Sequence, residues 1–472
     1  MAQRCAVVLD VGKTNAKLSL WDAAGRLLDR ATRANEQAEG PGYRALDVDG
    51  IEAWLAEILT RFTAQAEIGA IVPVGHGAAC ALVSVGRLHA APMDYEDPGE
   101  AEARPAYDAG RDGFAATGSP RLPQGLNLGW QLDRLERLTG PWPADLRILI
   151  WPQYWAWRLC GQMACEVTSL GCHSDLWRPL AGRPSTLAFD RGWAERLAPL
   201  RRADERLGRV SAEWRDRAGL PADCEVLCGL HDSNAALLAA RGHAEIAQGD
   251  ATVLSTGTWF VAMRSAAPGQ PIDLADLAER RDCLVNVDVA GRPAPSARFM
   301  GGRDAEILGG FDSFDIIRDY DPQALLARLP DLVTAGVMAL PSFTPGVGPF
   351  PDTPGGWENP PSDPMDRRAA AGLYLALMAD TILDLVGSRE RLLIEGRFAE
   401  AQVFVRALAT LRPRQQVFVS RAQDDVPYGA LRLLDPSLPP PSPLIRVAPL
   451  ALDLTDYAQA WRRRASHEIT HT

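Results

Sequence analysis

The first strand of the chain and the turn that follows it constrain the fold most. Residues 6–9 form an apolar run that ends in Asp10, and Gly12 then opens a turn carrying Lys13, Thr14 and Asn15. From residue 17 to residue 21 polar and apolar residues alternate, which is typical of a half-buried strand. The pattern predicts a β-hairpin whose tip offers backbone N–H groups and a cation to phosphate oxygens. The carboxylate at its base suits an accompanying metal ion.

The triplet Gly12-Lys13-Thr14 also suggests a P-loop, but the rest of that motif is missing. A P-loop requires a glycine five residues before Gly12, where this chain has Val7, and a helix after the threonine. The residues after Thr14 alternate like a strand instead. An ordinary glycine turn does not account for the acid, the cation, the hydroxyl and the amide together, so the phosphate-binding hairpin is preferred.

Length and charge narrow the class of protein. A chain of 472 residues predicts two domains of about 200 residues each. A formal net charge of -11 argues against general nucleic-acid binding. No apolar run reaches the roughly 20 residues of a membrane span, and the N-terminus lacks the pattern of a secretory signal. The eight cysteines include no C-x-x-C pair, which indicates reduced thiols and a cytoplasmic location.

The order of predicted elements indicates an α/β fold. Residues 49–59 have the apolar spacing of an amphipathic helix, and strands are predicted over 68–74 and 81–85. The Trp-rich stretch 148–159 is predicted as a buried helix, and 86–125 as loops. Residues 251–264 repeat the form of the opening hairpin, so two halves built on one plan are expected, with a boundary near residue 245. The expected division is 1–245, 246–440 and a C-terminal tail over 441–472.

Three further motifs carry polar residues at strand ends. Gly75-His76-Gly77 resembles a dinucleotide fingerprint, but Cys80 replaces its third glycine, so His76 is either a core histidine or a group that reaches into a cleft. Asp232 lies between a strand and an Ala/Leu helix, where it is either a helix cap or a base that accepts a hydroxyl proton. Residues 255–258 are either a second phosphate turn or a plain β-turn.

Taken together, these motifs resemble the FGGY family of carbohydrate kinases over residues 5–435. The resemblance implies two ribonuclease-H-like (actin-like ATPase) domains, with ATP and sugar meeting in an interdomain cleft. The segments that match family motifs are Asp10-Val11-Gly12 and Ser255 to Trp259 for phosphate, Gly75-His76-Gly77 and Asp97 for sugar, Glu166-Val167-Thr168, and Gly229 to Ala236 with Asp232 as catalytic base. The pairs His231-Asp232 and Gly257-Thr258-Trp259 look most like the rhamnulokinase branch, beside fuculokinases.

Three departures from the family pattern stand out. Lys13 replaces the usual threonine after the glycine, and Gln153 replaces an acid. The glycine-rich adenosine motif is reduced to Glu395-Gly396-Arg397-Phe398, which has a single glycine. Arg397 and Phe398 are expected to pack on the adenine, or else nucleotide binding is altered.

The resemblance implies an ATP- and Mg²⁺-dependent kinase of a small ketose or deoxyketose, similar to L-rhamnulose or L-fuculose. The N-terminal domain would bind the sugar, the C-terminal domain the nucleotide, and Asp10 would hold Mg²⁺. The implied nucleotide residues are Gly12, Lys13, Thr14, Asn15, Ser255, Thr256, Gly257, Thr258, Gly396, Arg397 and Phe398. The implied sugar residues are His76, Gly77, Asp97, His173, His231 and Asp232. The alternative is a non-catalytic sensor of the same fold. A homodimer is a further expectation, and no motif in the sequence bears on it.

Overall fold

The computed structural model describes residues 4–310, 321–421 and 425–467. The chain divides into two compact units. In described residues, unit 1 contains 4–242, 285–293 and 425–440, and unit 2 contains 243–284, 294–310, 321–421 and 441–467. The first crossing, after Gly242, lies close to the boundary expected near residue 245, but the chain returns twice to unit 1.

The strands of the described residues are β1 (Cys5–Val11), β2 (Asn15–Trp21), β3 (Leu27–Ala34), β4 (Gln37–Gly40), β5 (Tyr43–Leu46), β6 (Ile68–Gly75), β7 (Cys80–Ser84), β8 (Arg87–Ala90), β9 (Arg147–Ile150), β10 (Cys165–Glu166), β11 (Trp177–Arg178), β12 (Arg183–Pro184), β13 (Leu200–Arg201), β14 (Arg206–Arg209), β15 (Glu225–Leu227), β16 (Leu230–His231), β17 (Ala251–Thr256), β18 (Phe260–Ser265), β19 (Cys283–Val287), β20 (Pro293–Phe299), β21 (Met338–Leu340), β22 (Gly356–Glu358), β23 (Arg391–Gly396), β24 (Gln416–Val419) and β25 (Ile445–Arg446).

The α-helices of the same residues are α1 (Val48–Thr63), α2 (Arg104–Ala109), α3 (Phe114–Thr117), α4 (Leu128–Thr139), α5 (Trp151–Cys160), α6 (Val167–Leu170), α7 (Thr186–Asp190), α8 (Ala212–Ala218), α9 (Asp232–Ala240), α10 (Ala244–Ala247), α11 (Gly301–Gly309), α12 (Pro322–Thr334), α13 (Pro364–Leu385), α14 (Gln402–Leu411), α15 (Asp425–Leu434) and α16 (Thr455–His467). None of these helices has both the length and the apolar content that a membrane span requires.

Unit 1 is organised around a sheet with the strand order β14-β15-β6-β1-β2-β3, to which β16 adds beside β6. The opening hairpin is confirmed, because β1 pairs with β2 in antiparallel register. On its other side β1 pairs in parallel with β6, so β1 is an interior strand, and its residues other than Ala6 are buried because a hydrophobic core packs on each face of the sheet. This burial explains why the strand reads as a continuous apolar run rather than an alternating one.

Helices cover the faces of this sheet. Helix α1 starts where the side chain of Asp47 accepts a hydrogen bond from the backbone N–H of Gly50, and its predicted apolar face is buried. The Trp-rich stretch differs in part from the prediction: β9 runs to Ile150, and the buried helix α5 begins only at Trp151. The indole of Trp151 then donates to the carbonyl oxygen of Val11, 3.1 Å away, at the end of β1.

Unit 2 repeats the plan of unit 1. Its sheet contains the order β20-β18-β17-β23-β24-β25, in which β17 and β18 form the second hairpin. β17 pairs in parallel with β23, and β23 pairs in parallel with β24. An antiparallel strand closes the edge in both units, β14 beside β15 in one and β25 beside β24 in the other. The predicted internal repeat and the α/β fold of two actin-like domains are therefore confirmed.

Two other stretches differ from the sequence expectations. Residues 86–125, predicted as loops, include β8 and the short helices α2 and α3. The described part of the tail belongs to unit 2, where β25 joins the sheet. Helix α16 is docked there as well, since the indole of Trp461 donates to the carbonyl oxygen of Ala339 at 2.7 Å.

Candidate active site

Three strands of unit 1 end in one row, and this row assembles the candidate site. Val11 at the end of β1 pairs with Gly75 at the end of β6, and Gly75 pairs with His231 at the end of β16. All three strands are parallel, so the residues around their carboxyl ends share one edge of the sheet. The electrostatics agree, because the charge of Asp232 acts on both Asp10 and His76.

Asp10 is a buried acid at this edge, with 9% of its surface exposed. Burial raises the pKa of its carboxyl to about 7; the negative charge of Asp232 adds to this shift and Lys17 opposes it. A cation beside the two acids would relieve both costs. No group of three or more His, Cys, Asp or Glu among the described residues could hold a metal. The buried carboxylate of Asp10 fits Mg²⁺, because this ion is commonly held by one or two carboxylates, phosphates and water.

The Asp10→Asn variant should remove a pH dependence of stability. The folded protein keeps the Asp10 proton up to about pH 7, whereas the ordinary pKa of 3.8 means that the unfolded chain loses it near pH 4. The parent therefore loses stability as the pH rises through this window, and the variant, which has no charge to bury, does not. Its advantage in the free energy of unfolding should grow from near zero at pH 4 to about 2–4 kcal/mol at pH 8.

Urea unfolding without Mg²⁺ at pH 4, 6 and 8 measures this difference. Burial also raises the pKa of Glu166 to about 7, but that group is present in both proteins and cancels in the comparison. A difference that stays constant from pH 4 to pH 8 would mean that Asp10 is ionised throughout.

Asp232 is the first residue of α9, so its carboxylate lies at the positive end of the helix dipole. The cap position is His231, whose side chain makes no cap hydrogen bond, so the helix-cap alternative for Asp232 is wrong. Within the described part of the chain, the partners of Asp232 all meet Oδ1: the Ser233 N–H at 2.5 Å, the Ser233 hydroxyl at 3.2 Å and His231 Nε2 at 3.1 Å. With 30% of its side chain exposed, the carboxylate retains Oδ2 for a substrate hydroxyl.

His231 connects Asp232 to the interior of unit 1. The Asn234 amide donates to its Nδ1 at 3.3 Å, so the ring proton is on Nε2, which donates to Asp232 Oδ1. Burial lowers the pKa of this imidazole, against the opposing charge of Asp232, and keeps it neutral at physiological pH. The Cys172 sulfur lies 3.5 Å from the same Nε2, and Gly77 lies directly against both groups.

The corner before His231 is held by a residue that departs from the family pattern. The Gln153 amide donates to the carbonyl oxygens of Cys228 and Gly229, each at 3.2 Å. An ionised acid has no proton to donate to these carbonyls, which gives the glutamine at this position a structural reason.

The ammonium of Lys13 forms an ion pair within unit 1. Its Nζ is 2.5 Å from Asp94 Oδ2 and 3.5 Å from a carboxylate oxygen of Glu96, and it lies 5.4 Å from the ring centre of Tyr95. This ion pair engages the ammonium, and a role for Lys13 in phosphate binding stays a prediction. The turn itself is supported by the Asn35 amide, which donates to the carbonyl oxygens of Gly12 and Lys13 and was not singled out from the sequence. Gly12 N–H donates to the Asn15 carbonyl oxygen at 3.0 Å, and Thr14 is exposed at the tip.

The Lys13→Met variant should lose about 2–4 kcal/mol of stability, because it leaves the fully buried carboxylate of Asp94 without its cation. Adding Asp94→Asn should restore most of this loss. Urea unfolding of the parent, the single variant and the double variant measures both effects.

The KM for ATP of the double variant separates the two roles of Lys13. We expect it to stay within about threefold of the parent. A rise of about tenfold or more in the folded double variant would instead assign the ammonium to the phosphates.

On the sugar side, His76 and Asp97 behave differently. His76 Nδ1 accepts from the Ala78 N–H at 3.3 Å, while its Nε2 is buried without a hydrogen-bond partner among the described residues. Burial lowers the pKa of His76 to about 4, so the ring is neutral. Because Nδ1 accepts a hydrogen bond, the ring hydrogen is on Nε2, which can donate a hydrogen bond to a sugar oxygen. His76 is therefore not a satisfied core histidine.

Asp97 is held by three donors within unit 1, and its role in sugar binding stays a prediction. Its carboxylate accepts from Arg134 at 2.6 Å, from the Arg44 N–H at 2.7 Å and from the Gly99 N–H at 2.9 Å. Asp94 and Tyr95 of the same loop were not singled out from the sequence as candidate site residues. The Tyr95 ring meets His76 edge-on at 5.6 Å. No sequence signal separates Asp94 from Asp97, since both are buried acids of one short loop and only their partners, Lys13 and Arg134, distinguish them.

His173 lies in a turn that bends sharply, with a positive φ of 37°. Its Nδ1 donates to the Leu126 carbonyl oxygen at 2.8 Å. A role for His173 in sugar binding stays a prediction.

In unit 2 the second hairpin is tied to the segment after β23. Thr256 pairs with Gly396 in the sheet, and the Thr256 hydroxyl donates to the Glu395 carbonyl oxygen at 2.5 Å and accepts from the Phe398 N–H at 3.1 Å. The Ser255 hydroxyl donates to the Glu395 carboxylate. These two hydroxyls are engaged within the protein, and the binding of phosphate by Ser255 and Thr256 stays a prediction.

Thr258 and Arg397 remain at the open side of this turn. Thr258 is exposed, and Arg397 Nη2 is 3.4 Å from its hydroxyl oxygen. Gly257 N–H donates to the Trp259 carbonyl oxygen at 3.0 Å and closes the turn. The Phe398 ring is fully buried, with its centre 4.8 Å from that of Phe260, so the expectation that it packs on adenine is wrong.

Comparison with known proteins identifies a family and several solved structures that this chain resembles. The profile of the carbohydrate kinase FGGY C-terminal domain matches residues 248–441. No curated protein sequence matches the chain. The crystal structure of a carbohydrate kinase from Novosphingobium aromaticivorans is 50% identical, covers 100% of both chains and gives a TM-score of 0.94.

Two more distant structures share the fold. A ligand-bound xylulose kinase from Lactobacillus acidophilus has 13% identity, 99% coverage of both chains and a TM-score of 0.74. A Plasmodium falciparum glycerol kinase with ADP has 11% identity, covers 100% of this chain and 99% of its own, and gives a TM-score of 0.76. At such low identity these two indicate a common fold alone.

Proposed function

The chain belongs to the FGGY family of carbohydrate kinases, and on that premise we propose that it transfers the γ-phosphate of ATP to a primary hydroxyl of a small ketose or deoxyketose, with Asp232 as general base. The carbohydrate kinase activity and the use of ATP follow from the family. The base, the class of sugar and the site residues are the proposal.

The observation that carries the proposal is the arrangement of Asp232. One carboxylate oxygen is held by Ser233 and His231, and the other is left for a hydroxyl. In phosphoryl transfer the protein acts mainly by positioning and electrostatics, so an oriented carboxylate that accepts the hydroxyl proton late in the reaction is sufficient. The Nε2–H group of the neutral His76 ring would donate a hydrogen bond to another oxygen of the sugar and fix the orientation of the sugar.

The donor side uses both hairpins. In unit 1, backbone N–H groups around Gly12, with Thr14 and Asn15, suit phosphate oxygens, and in unit 2 Thr258 with Arg397 offers a hydroxyl and a cation of the same use. Asp10 would hold Mg²⁺, which neutralises charge on the phosphates when it is bound. Binding of the sugar by unit 1 and of the adenosine by unit 2 is part of this proposal. A cytoplasmic location and a homodimer stay predictions of the sequence.

The sugar is proposed to resemble L-rhamnulose or L-fuculose, on the resemblance of His231-Asp232 and Gly257-Thr258-Trp259 to the rhamnulokinase branch. A coupled assay of ADP release over ketoses, aldoses and polyols, including these two, tests the activity. Phosphorus NMR of the product identifies the phosphorylated hydroxyl. The proposal fails if a sugar binds tightly and none of the panel stimulates ADP release, which is the behaviour expected of a non-catalytic sensor.

A further inference from the structure

We propose that Glu166 and Thr168 are positioning residues that hold Asp232 in its catalytic geometry. This inference rests on the proposed function of Asp232 as general base. Neither residue touches the carboxylate of Asp232. Both act through the backbone of His231, the residue before it.

The hydroxyl of Thr168 has two roles. The Thr168 Oγ1 accepts the backbone N–H of His231 at 3.0 Å and donates to Glu166 Oε2 at 2.5 Å. A hydroxyl can accept from a backbone N–H and donate to an acid through one and the same oxygen. All three residues are buried, so each of these hydrogen bonds is made away from water.

Burying the acid of Glu166 at the start of α6 costs free energy. Glu166 is fully buried, its Oε2 also accepts the N–H groups of Thr168 and Ser169 at the start of α6, and its Oε1 is buried without a partner in the described part of the chain. Burial raises the pKa of this carboxyl to about 7. A helix start alone is served at lower cost by the short side chains of Ser or Asp. By accepting the hydrogen of the Thr168 hydroxyl, Glu166 leaves a lone pair of that oxygen for the His231 N–H.

The backbone corner before Asp232, residues 228–231, is held from two sides. Gln153 on α5 binds the carbonyl oxygens of Cys228 and Gly229, and Thr168 on α6 binds the N–H of His231. His231 in turn donates to Asp232 Oδ1. Fixing the backbone on both sides of the strand end leaves Asp232 little freedom, and a displacement of about 1 Å at a reacting group can cost about 10²-fold in rate.

The Thr168→Val variant tests this inference because it keeps the shape and removes the hydroxyl. Its kcat should fall about 10- to 100-fold while its KM for ATP stays within about twofold. Thr168→Ser keeps the hydroxyl and should recover most of the parental kcat. The matched control is Thr63→Val, at the end of α1, whose half-buried hydroxyl donates to the Ala218 carbonyl oxygen at 2.9 Å and should leave kcat unchanged.

A double-variant cycle separates positioning from general damage. If Thr168 acts through Asp232, then Thr168→Val should cause little further loss in a protein that already carries Asp232→Asn. If Thr168→Val does not fold, Thr168→Ala takes its place with the same expectation. The inference is overturned if kcat of the folded variant stays within about twofold of the parent, if the serine variant is as impaired as the valine variant, or if the two losses add fully.

These outcomes are distinct from failure of the proposed function. Normal turnover in Asp232→Asn removes the base itself. A large loss in Asp232→Asn together with a normal Thr168→Val removes only the positioning pair.

Discussion

The Asp232→Asn variant is expected to lose about 10²–10⁴-fold in kcat, the contribution typical of a positioned general base. The amide is close in size to the carboxylate, and its oxygen can still accept the Ser233 N–H that Oδ1 accepts now. What it loses is the ability to take the hydroxyl proton. Steady-state kinetics with the sugar identified by the panel measure kcat and both KM values, and the KM for ATP should stay within about twofold.

The matched control for this change is Asp216→Asn on α8, an exposed acid of unit 1. It should leave both kinetic constants unchanged. An Asp232→Asn protein that turns over at the parental rate would show that the base is a different group.

The Gly229→Ala variant is expected to lose about 2–5 kcal/mol in the free energy of unfolding, from the strain of a left-handed residue and from overpacking. Gly229 has a φ of 76°, and an added Cβ would lie 2.0 Å from the Pro73 carbonyl oxygen of β6. Because β6 is paired on both sides, its backbone has no room to move away. The corner must shift instead, so we expect kcat to fall with stability, since Asp232 follows three residues later.

The control for Gly229 is Gly161, which has the same φ of 76° and no atom within 4 Å of an added Cβ. Gly161→Ala should cost only the strain of about 1–2 kcal/mol. Urea unfolding of both variants measures the difference, and equal losses would contradict the expected clash with Pro73.

The local patterns of the sequence predicted much of the fold. The apolar run before Asp10, its glycine turn and the alternation after Lys17 are properties of adjacent residues, and they predicted the hairpin correctly. Its recurrence at 251–264 predicted the second unit for the same reason. Boundaries were less certain: the Trp-rich stretch hides a change from strand to helix at Ile150, because a buried strand and a buried helix are both apolar.

The partners of polar side chains were not predictable in this way. Lys13 was expected at a phosphate and binds Asp94, 81 residues further along the chain. Asp97 was expected at the sugar and binds Arg134, and Phe398 was expected at the nucleotide and is packed in the core of unit 2. In each case the type of residue suited the predicted role, but the fold supplied another partner.

The sequence by itself determined the two hairpins, where their glycine turns fall and that the chain contains two copies of one plan, because these depend on neighbours in the chain. Only the tertiary structure decided that Val11, Gly75 and His231 stand in one row, that Gln153 and Thr168 hold the corner before Asp232, and which acids are buried. The pairing of parallel strands and the burial of charge depend on contacts between distant segments, and no local pattern encodes them.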